Sequence, residues 1–136
     1  METIFSKIIN REIPAPIVYE DEHTLAFLDA HPVNLGHTLV VPKKHFRNLY
    51  DIDPETLSHV IKTVQKVAIA LGHAVGAEGV NVHQNNESAA GQVVFHLHMH
   101  VIPRFKNDGR VLWEDKLEYR PGEASDLAEK IKSALV

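Results

Sequence analysis

The chain has 136 residues, 44% of them hydrophobic, enough for one domain-sized core without a disulfide or a structural metal. Its formal charge is −4 and its fourteen Lys and Arg are scattered, which argues against polymeric nucleic acid as a partner, although a single nucleotide needs no basic stripe. There is no cysteine, so disulfides and thiolate metal sites are excluded and a reducing compartment is fitting. The start, METIFSKIINREIP, lacks the apolar stretch of a secretory signal, and no run approaches a membrane span. One cytoplasmic domain over residues 1–136, with no membrane contact, is the expectation.

In chain order, IFSKIIN reads as a short helix with Ile4, Ile8 and Phe5 on one side, stopped by Asn10, Pro14 and Pro16. IVYE and TLAFLD around the polar DEH read as a β-hairpin, HPVNLG as a loop, and HTLVVP as a strand ending at Pro42. Asp53-Pro54-Glu55 predicts the capped start of a long helix whose core face carries Leu57, Val60, Ile61, Val64, Val67, Ala68 and Leu71. GVNVHQNN and VVFHLHMHVIP read as strands flanking the loop ESAAGQ. VLWED is a short strand or a loop, and SDLAEKIKSAL a capped helix without an assigned docking site. The sum is an α+β domain with an antiparallel sheet covered by helices on one face.

The stretch HLHMHVIPR places three of the ten histidines at alternate positions. On a strand, His96, His98 and His100 share one face, roughly 7 Å apart, while Leu97, Met99 and Val101 bury on the other. Half-buried polar positions on a solvated sheet face are the plain alternative. As metal ligands, two of the rings would have to combine with a distant residue such as His45, because three alternate positions span too far for one ion. As chemistry, one imidazole attacks phosphorus and its neighbours tune it, which requires the attacking nitrogen to be unprotonated and the other nitrogen to donate to a fixed acceptor. The middle ring, His98, has helpers on both sides.

HLHMHVI has the His-φ-His-φ-His-φ-φ form, with φ apolar, and resembles the signature of the histidine triad (HIT) nucleotide hydrolases and transferases. TIFSKIINREIPAPIVYEDEHTLAFLD, GHTLVVPKKH and NNESAAGQVVFHLHMHVIPR are similar, in the same order, to segments of the HINT branch of nucleoside phosphoramidate hydrolases. The likeness runs from about Thr3 to Arg104 and leaves 105–136 as a tail. It implies a five-stranded antiparallel sheet with a long central helix, extended across a homodimer, and a purine nucleoside monophosphate (AMP- or GMP-type) site. It further implies a covalent nucleotidyl intermediate on His98, with His100 on the phosphate oxygens, His96 more internal and His37 near the nucleophile. By the same likeness Asp29 takes the ribose hydroxyls and Asn85 the ribose-phosphate end. Gly91 and Gln92 belong to the loop around the phosphate, and Ile4, Phe5, Ile8, Ile13 and Phe27 form the wall that holds the base. No metal or other cofactor enters this scheme. On composition alone Ile4, Ile8 and Phe27 are plain core, and Asp29 and Asn85 plain turn residues.

Two positions depart from the pattern. Many bacterial relatives hold a structural zinc with Cys-x-x-Cys near the N-terminus and two histidines; here Thr3 and Ser6 stand at the cysteine positions, leaving His45 and His96, which are expected to bond to one another. Val93 stands where the phosphoramidase branch has a hydroxyl residue, which leaves the departing group open: an amine, or the phosphate of a dinucleoside polyphosphate. A nucleotide-binding or interaction module with little turnover is the reading from another class.

Overall fold

Strands β2 (Thr24–Leu28) and β3 (Thr38–Pro42) are buried at every position. A strand sends alternate side chains to opposite faces, so two such strands require cover on both sides of their sheet. The computed structural model, which describes residues 2–114 and 116–136, supplies that cover. On one face Leu25, Phe27, Leu39 and Val41 pack with Phe5 and Ile8 of helix α1 (Ile4–Ile9). On the other, Ala26, Leu28 and Val40 pack beneath helix α2 (Pro54–Val75) and helix α3 (Glu123–Ala134). Helices on a single face, as expected from the sequence, is therefore corrected: α1 takes part of the second face.

The sheet has five strands in the order β1-β2-β3-β5-β4, all antiparallel, with β1 spanning Ile17–Glu20, β4 Gly79–His83 and β5 Met99–Arg104. β1 and β2 form the hairpin, closed by the Asp21 carboxylate accepting the amides of His23 and Thr24. β5 lies between β3 and β4, so a residue on it faces the middle of the sheet surface.

α2 starts where Asp53 accepts the Thr56 amide with Pro54 in the first turn, and ends at Gly76, whose φ of 67° is the left-handed conformation that suits glycine. Its core face is Val60, Thr63, Val64, Val67, Ala70, Leu71 and Ala74, with Leu57 and Ala68 at the margin. Ile61 is exposed: it sits about 100° round the helix from Val60, which holds the sheet-facing position. α3 begins at Glu123 after Gly122, earlier than the Ser125 start that SDLAEKIKSAL suggests. It docks on α2 through Ala128 and Ile131, both buried in the main core. Truncating Ile131 to Ala would cost about 2–5 kcal/mol, the usual range for a buried aliphatic. Residues 111–114 of VLWED form no strand, 112–114 making a turn, and Asp115 lies outside the described residues. No helix among the described residues is long and apolar enough to cross a membrane.

Candidate active site

The strand expected over VVFHLHMHVIP begins only at Met99. The β3–β5 register runs Thr38↔Val101, Leu39↔His100, Val40↔Met99, and its continuation would set Leu97 opposite Pro42, which has no N–H for the ladder. The Leu97 amide bonds the Phe46 carbonyl instead, and the Pro42 carbonyl accepts from His96 Nε2. His96 and His98 thus precede the ladder, yet the chain stays extended enough to keep the alternation. Leu97, Met99 and Val101 are buried in the α2-side core, while the His98 and His100 rings meet on the other face, 5.0 Å apart rather than the roughly 7 Å of a straight strand.

Hydrogen bonds fix the state of each ring. A carbonyl only accepts, so the 2.8 Å contact between His98 Nδ1 and the His96 carbonyl places the proton on Nδ1 and leaves a lone pair on Nε2. Burial pushes the His98 pKa below the ordinary 6.5, which keeps that lone pair free at neutral pH. At His37 the logic is reversed: the Val33 amide donates to Nδ1 at 3.0 Å, so Nε2 carries the proton and donates to His100 Nδ1 at 2.9 Å. His100 then carries its proton on Nε2. Burial, then its histidine neighbours, press its pKa down to about 2; burial lowers His37 to about 4 against the opposing pull of Asp29, whose Oδ2 lies 3.6 Å from His37 Nε2. The cluster therefore presents one bare nitrogen, on His98, and one N–H, on His100. The fourth histidine, expected beside the nucleophile, bonds to His100 instead.

The His98 and His100 rings, but not His37, line a cavity of about 840 Å³. Ile4, Phe5, Ile8 and Phe27 line one end, with the Phe5 ring edge-on to Phe27 at 5.6 Å and to His98 at 4.8 Å. Ile4 is 53% exposed, facing the cavity rather than the sheet, whereas Ile13 packs with the α1-side cluster and does not line the cavity. Asp29 lines it from the end of β2; its Oδ1 accepts the His31 amide, which sets the carboxylate's direction. Asn85, Gly91 and Val93 also line it. Gly91 has φ 90° and lies against Asn85, so a side chain there would strain the backbone and press on the Asn85 amide.

Gln92, expected at the phosphate, is buried and turned away. Its Oε1 accepts from the Glu87 amide and Asn48 Nδ2, and its Nε2 donates to the Arg47 and Val94 carbonyls. Every polar atom of that side chain is used to tie the 87–94 loop to the 47–48 segment, and the Arg47–Glu87 ion pair joins the same two segments. Trp113, outside the residues expected from the sequence, also lines the cavity and packs on His100 at 4.7 Å and His37 at 6.1 Å. Its signal was its isolation: the chain's single tryptophan, in a polar stretch without periodicity.

A second histidine pair lies behind His98. His45 and His96 sit edge to face at 5.1 Å, but they do not bond to one another as expected: His45 Nε2 donates to the Phe95 carbonyl and His96 Nε2 to the Pro42 carbonyl. That leaves His96 Nδ1 buried without a partner among the described residues. Carbonyl-bound Nε2 atoms are the usual support for Nδ1 metal ligands. The other half of a tetrahedral site is missing, however, since Thr3 and Ser6 bond to each other in a capping box at the start of α1. These residues do not fit a zinc ion. Asp29, His37 and His100 also bring potential ligand atoms together, but His37 Nε2 and His100 Nδ1 are separated by a hydrogen-bond distance of 2.9 Å, shorter than the roughly 3.3 Å spanned by two nitrogens on a tetrahedral zinc.

Comparison with known proteins agrees with this geometry. Residues 10–107 match the model of the HIT domain. An uncharacterised HIT-like protein of Methanocaldococcus jannaschii is 52% identical over 109 residues, covering 80% of this chain and 84% of that protein. The adenylylsulfatase HINT3 of Arabidopsis thaliana is 38% identical over 112 residues, 82% of this chain and 56% of its own length. The crystal structure of a Hit-like protein involved in cell-cycle regulation from Bartonella henselae superposes with a TM-score of 0.90 at 46% identity, covering 97% of this chain and 95% of the other. A buried histidine cluster at the start of a central strand, and a match over most of the chain, place this protein in the HIT family, which includes hydrolases.

Proposed function

We propose that the protein hydrolyses the bond between the α-phosphate of a purine nucleoside monophosphate and an amine, through a covalent intermediate on His98. The observation that carries this is the His98 Nδ1 bond to the His96 carbonyl, which leaves Nε2 as a partly buried, neutral nucleophile in a cavity with an apolar wall and a carboxylate. In the first step the Nε2–P bond forms and the P–N bond breaks, and the amine departs with a proton delivered through the histidine cluster. In the second, water attacks phosphorus, the Nε2–P bond breaks, and the water proton returns to the cluster as the nucleoside monophosphate leaves. The His100 Nε2–H is the donor for a phosphoryl oxygen, where charge develops. Ile4, Phe5, Ile8 and Phe27 hold the base, and Asp29 accepts from the ribose hydroxyls. The name of the Arabidopsis relative, an adenylylsulfatase, supports hydrolysis at a nucleotidyl phosphorus.

The same reading makes the protein a cytoplasmic homodimer. Among the described residues β4 pairs only with β5, which leaves its outer edge open, and Val82 on it is exposed, as are Ile61 and Ile69 on the outer side of α2. Light scattering is expected to give twice the 15.3 kDa chain mass.

The test is incubation with adenosine 5′-phosphoramidate in a chelator, for the parent and for His98→Ala. Chelator-resistant release of adenosine monophosphate, reduced at least about 10³-fold in the variant, is expected. Metal-dependent turnover, or turnover retained in the variant, would refute the assignment.

A further inference from the structure

We propose that Glu87 is a positioning residue for the nucleotide: with Arg47 it latches the 87–94 loop against the cavity, in a backbone conformation that a glutamate keeps only while the latch is closed. The inference rests on the nucleotide reading of the cavity given above. Ala90, Gly91, Val93 and Val94 carry this loop along the cavity wall. Its turn begins and ends at positive φ, at Glu87 with φ 74° and ψ 160° and at Gly91 with φ 90° and ψ 11°. Glycine adopts such angles without penalty. At Glu87 the positive φ is combined with an extended ψ, a region occupied almost entirely by glycine, where another residue persists only if its surroundings hold it.

The hold comes from one fork. Arg47 Nε and Nη2 each donate to a carboxylate oxygen of Glu87 at 2.8 Å, and Asn48 Nδ2 adds a third bond. The guanidinium is itself fixed, 4.3 Å from the centroid of the Phe95 ring. The Glu87 main chain is equally occupied: its N–H donates to Gln92 Oε1, and its carbonyl accepts the amides of Ala90 and Gln92. A change of φ or ψ at Glu87 would swing these groups and break the loop bonds together. The same segment also supports the approach to the catalytic ring, as His45 Nε2 donates to the Phe95 carbonyl and the Leu97 amide to the Phe46 carbonyl. Residues 45–48 thus splint the run from 87 to 97, and Glu87 is where the splint works against the backbone's own preference.

Both members of the pair are partly exposed, and a surface ion pair contributes little to global stability. This one instead decides between two loop conformations, so its loss is read in the loop and in the affinity for what the loop touches. Arg47, then Asn48, holds the Glu87 carboxyl down to about 2, which keeps the pair charged at any pH used to assay the protein.

Glu87→Gly and Glu87→Ala, each alone and with Arg47→Ala, separate the latch from the strain it opposes: glycine loses both, alanine loses only the latch. Deuterium uptake in the 87–94 segment and the Kd for adenosine monophosphate by calorimetry read the loop without turnover. Glu87→Ala is expected to exchange faster than Glu87→Gly and to weaken binding about 10-fold, against about 2- to 3-fold for glycine. With adenosine 5′-phosphoramidate the alanine loss should fall on KM, with kcat within about 2-fold of the parent. Arg47→Ala should weaken binding about 10-fold in the parent and hardly at all beside Glu87→Gly. Equal behaviour of the alanine and glycine variants, or an equal cost of Arg47→Ala in both backgrounds, would overturn the inference. So would a fall in kcat at unchanged KM, which signals lost folded enzyme. If adenosine monophosphate binds none of the proteins, the nucleotide reading fails, and the order of deuterium uptake alone upholds or overturns the latch.

Discussion

Two pairs of histidines have the same ring separation and different chemistry. His37 and His100 are 5.1 Å apart, and so are His45 and His96. In the first pair a direct 2.9 Å hydrogen bond passes one proton arrangement from the Val33 amide to the cavity, leaving an N–H on His100 beside the bare nitrogen of His98. In the second, each ring donates to its own carbonyl and His96 Nδ1 is left unpaired among the described residues. Proximity of imidazoles therefore says little about function. What decides it is which atom each backbone group occupies, because that sets the tautomer and hence whether the cavity meets a lone pair or a proton.

The comparison can be broken most strongly by truncating one member of each pair. His100→Ala is expected to lower kcat/KM about 10²-fold or more, through loss of the donor at the phosphoryl oxygen. His45→Ala should stay within about 3-fold of the parent in kcat/KM while losing thermal stability, since it opens a cavity beside His96. Equal losses in the two variants would mean that the pairs do not differ in function.

The second pair can be sharpened into the metal site it does not complete. Thr3→Cys combined with Ser6→Cys would place two thiolates at the start of α1, where Phe5 already lies 6.2 Å from the His96 ring. One equivalent of zinc is expected to raise the melting temperature of this double variant by several degrees and that of the parent hardly at all. Zinc stabilisation of the parent would show that its hydroxyls and imidazoles suffice.

Acid affects both pairs with the same sign. Burial holds His37 and His96 down to about 4 and His100 to about 2, against 6.5 for a free imidazole. Between those values the unfolded chain takes up protons that the folded protein refuses. The stability these groups contribute is thus fully present above about pH 6.5 and is lost as pH falls toward 4. Thermal melts should be flat from about pH 7 to 8 and decline below 6.5. The acid limb of kcat/KM should fall below 6.5 as well, because the His98 pKa is lowered. A limb at or above 6.5 would mean that the nucleophile is not shielded from water in the way the geometry requires.

The smallest effect belongs to the capping residues at the start of α1. Thr3→Ala removes the cap acceptor for the Ser6 amide and should cost about 1 kcal/mol, read as a modest drop in denaturation midpoint with kcat/KM little changed.

Much of this architecture was legible in the residues. The hairpin, β3, the capped α2 and the alternation that buries Leu97, Met99 and Val101 follow from turn chemistry, an N-cap and a period of two. The late start of β5 was not legible, because it depends on Pro42 lying across from Leu97, a fact of register between distant segments. Ile61 looked like core since a helical stripe read from one sequence has no sharp edge, and only the position of the sheet settles which side is buried. The family resemblance assigns Gln92 to the loop around the phosphate, yet four hydrogen bonds to residues 47, 48, 87 and 94 turn its side chain inward. Trp113 was not legible as a site residue, because its one sequence signal, being the chain's single tryptophan, does not separate a loop side chain in solvent from one folded back over three histidines.

The most direct test of the central claim is to identify the covalent intermediate. The parent enzyme, mixed with adenosine 5′-phosphoramidate in a chelator, quenched within a turnover and digested, should give an adenylylated peptide by mass spectrometry. The account predicts that the modification maps to His98 and is absent in His98→Ala. An adduct on His96, His100 or another residue, or sustained turnover with no adduct in the quench, would contradict it.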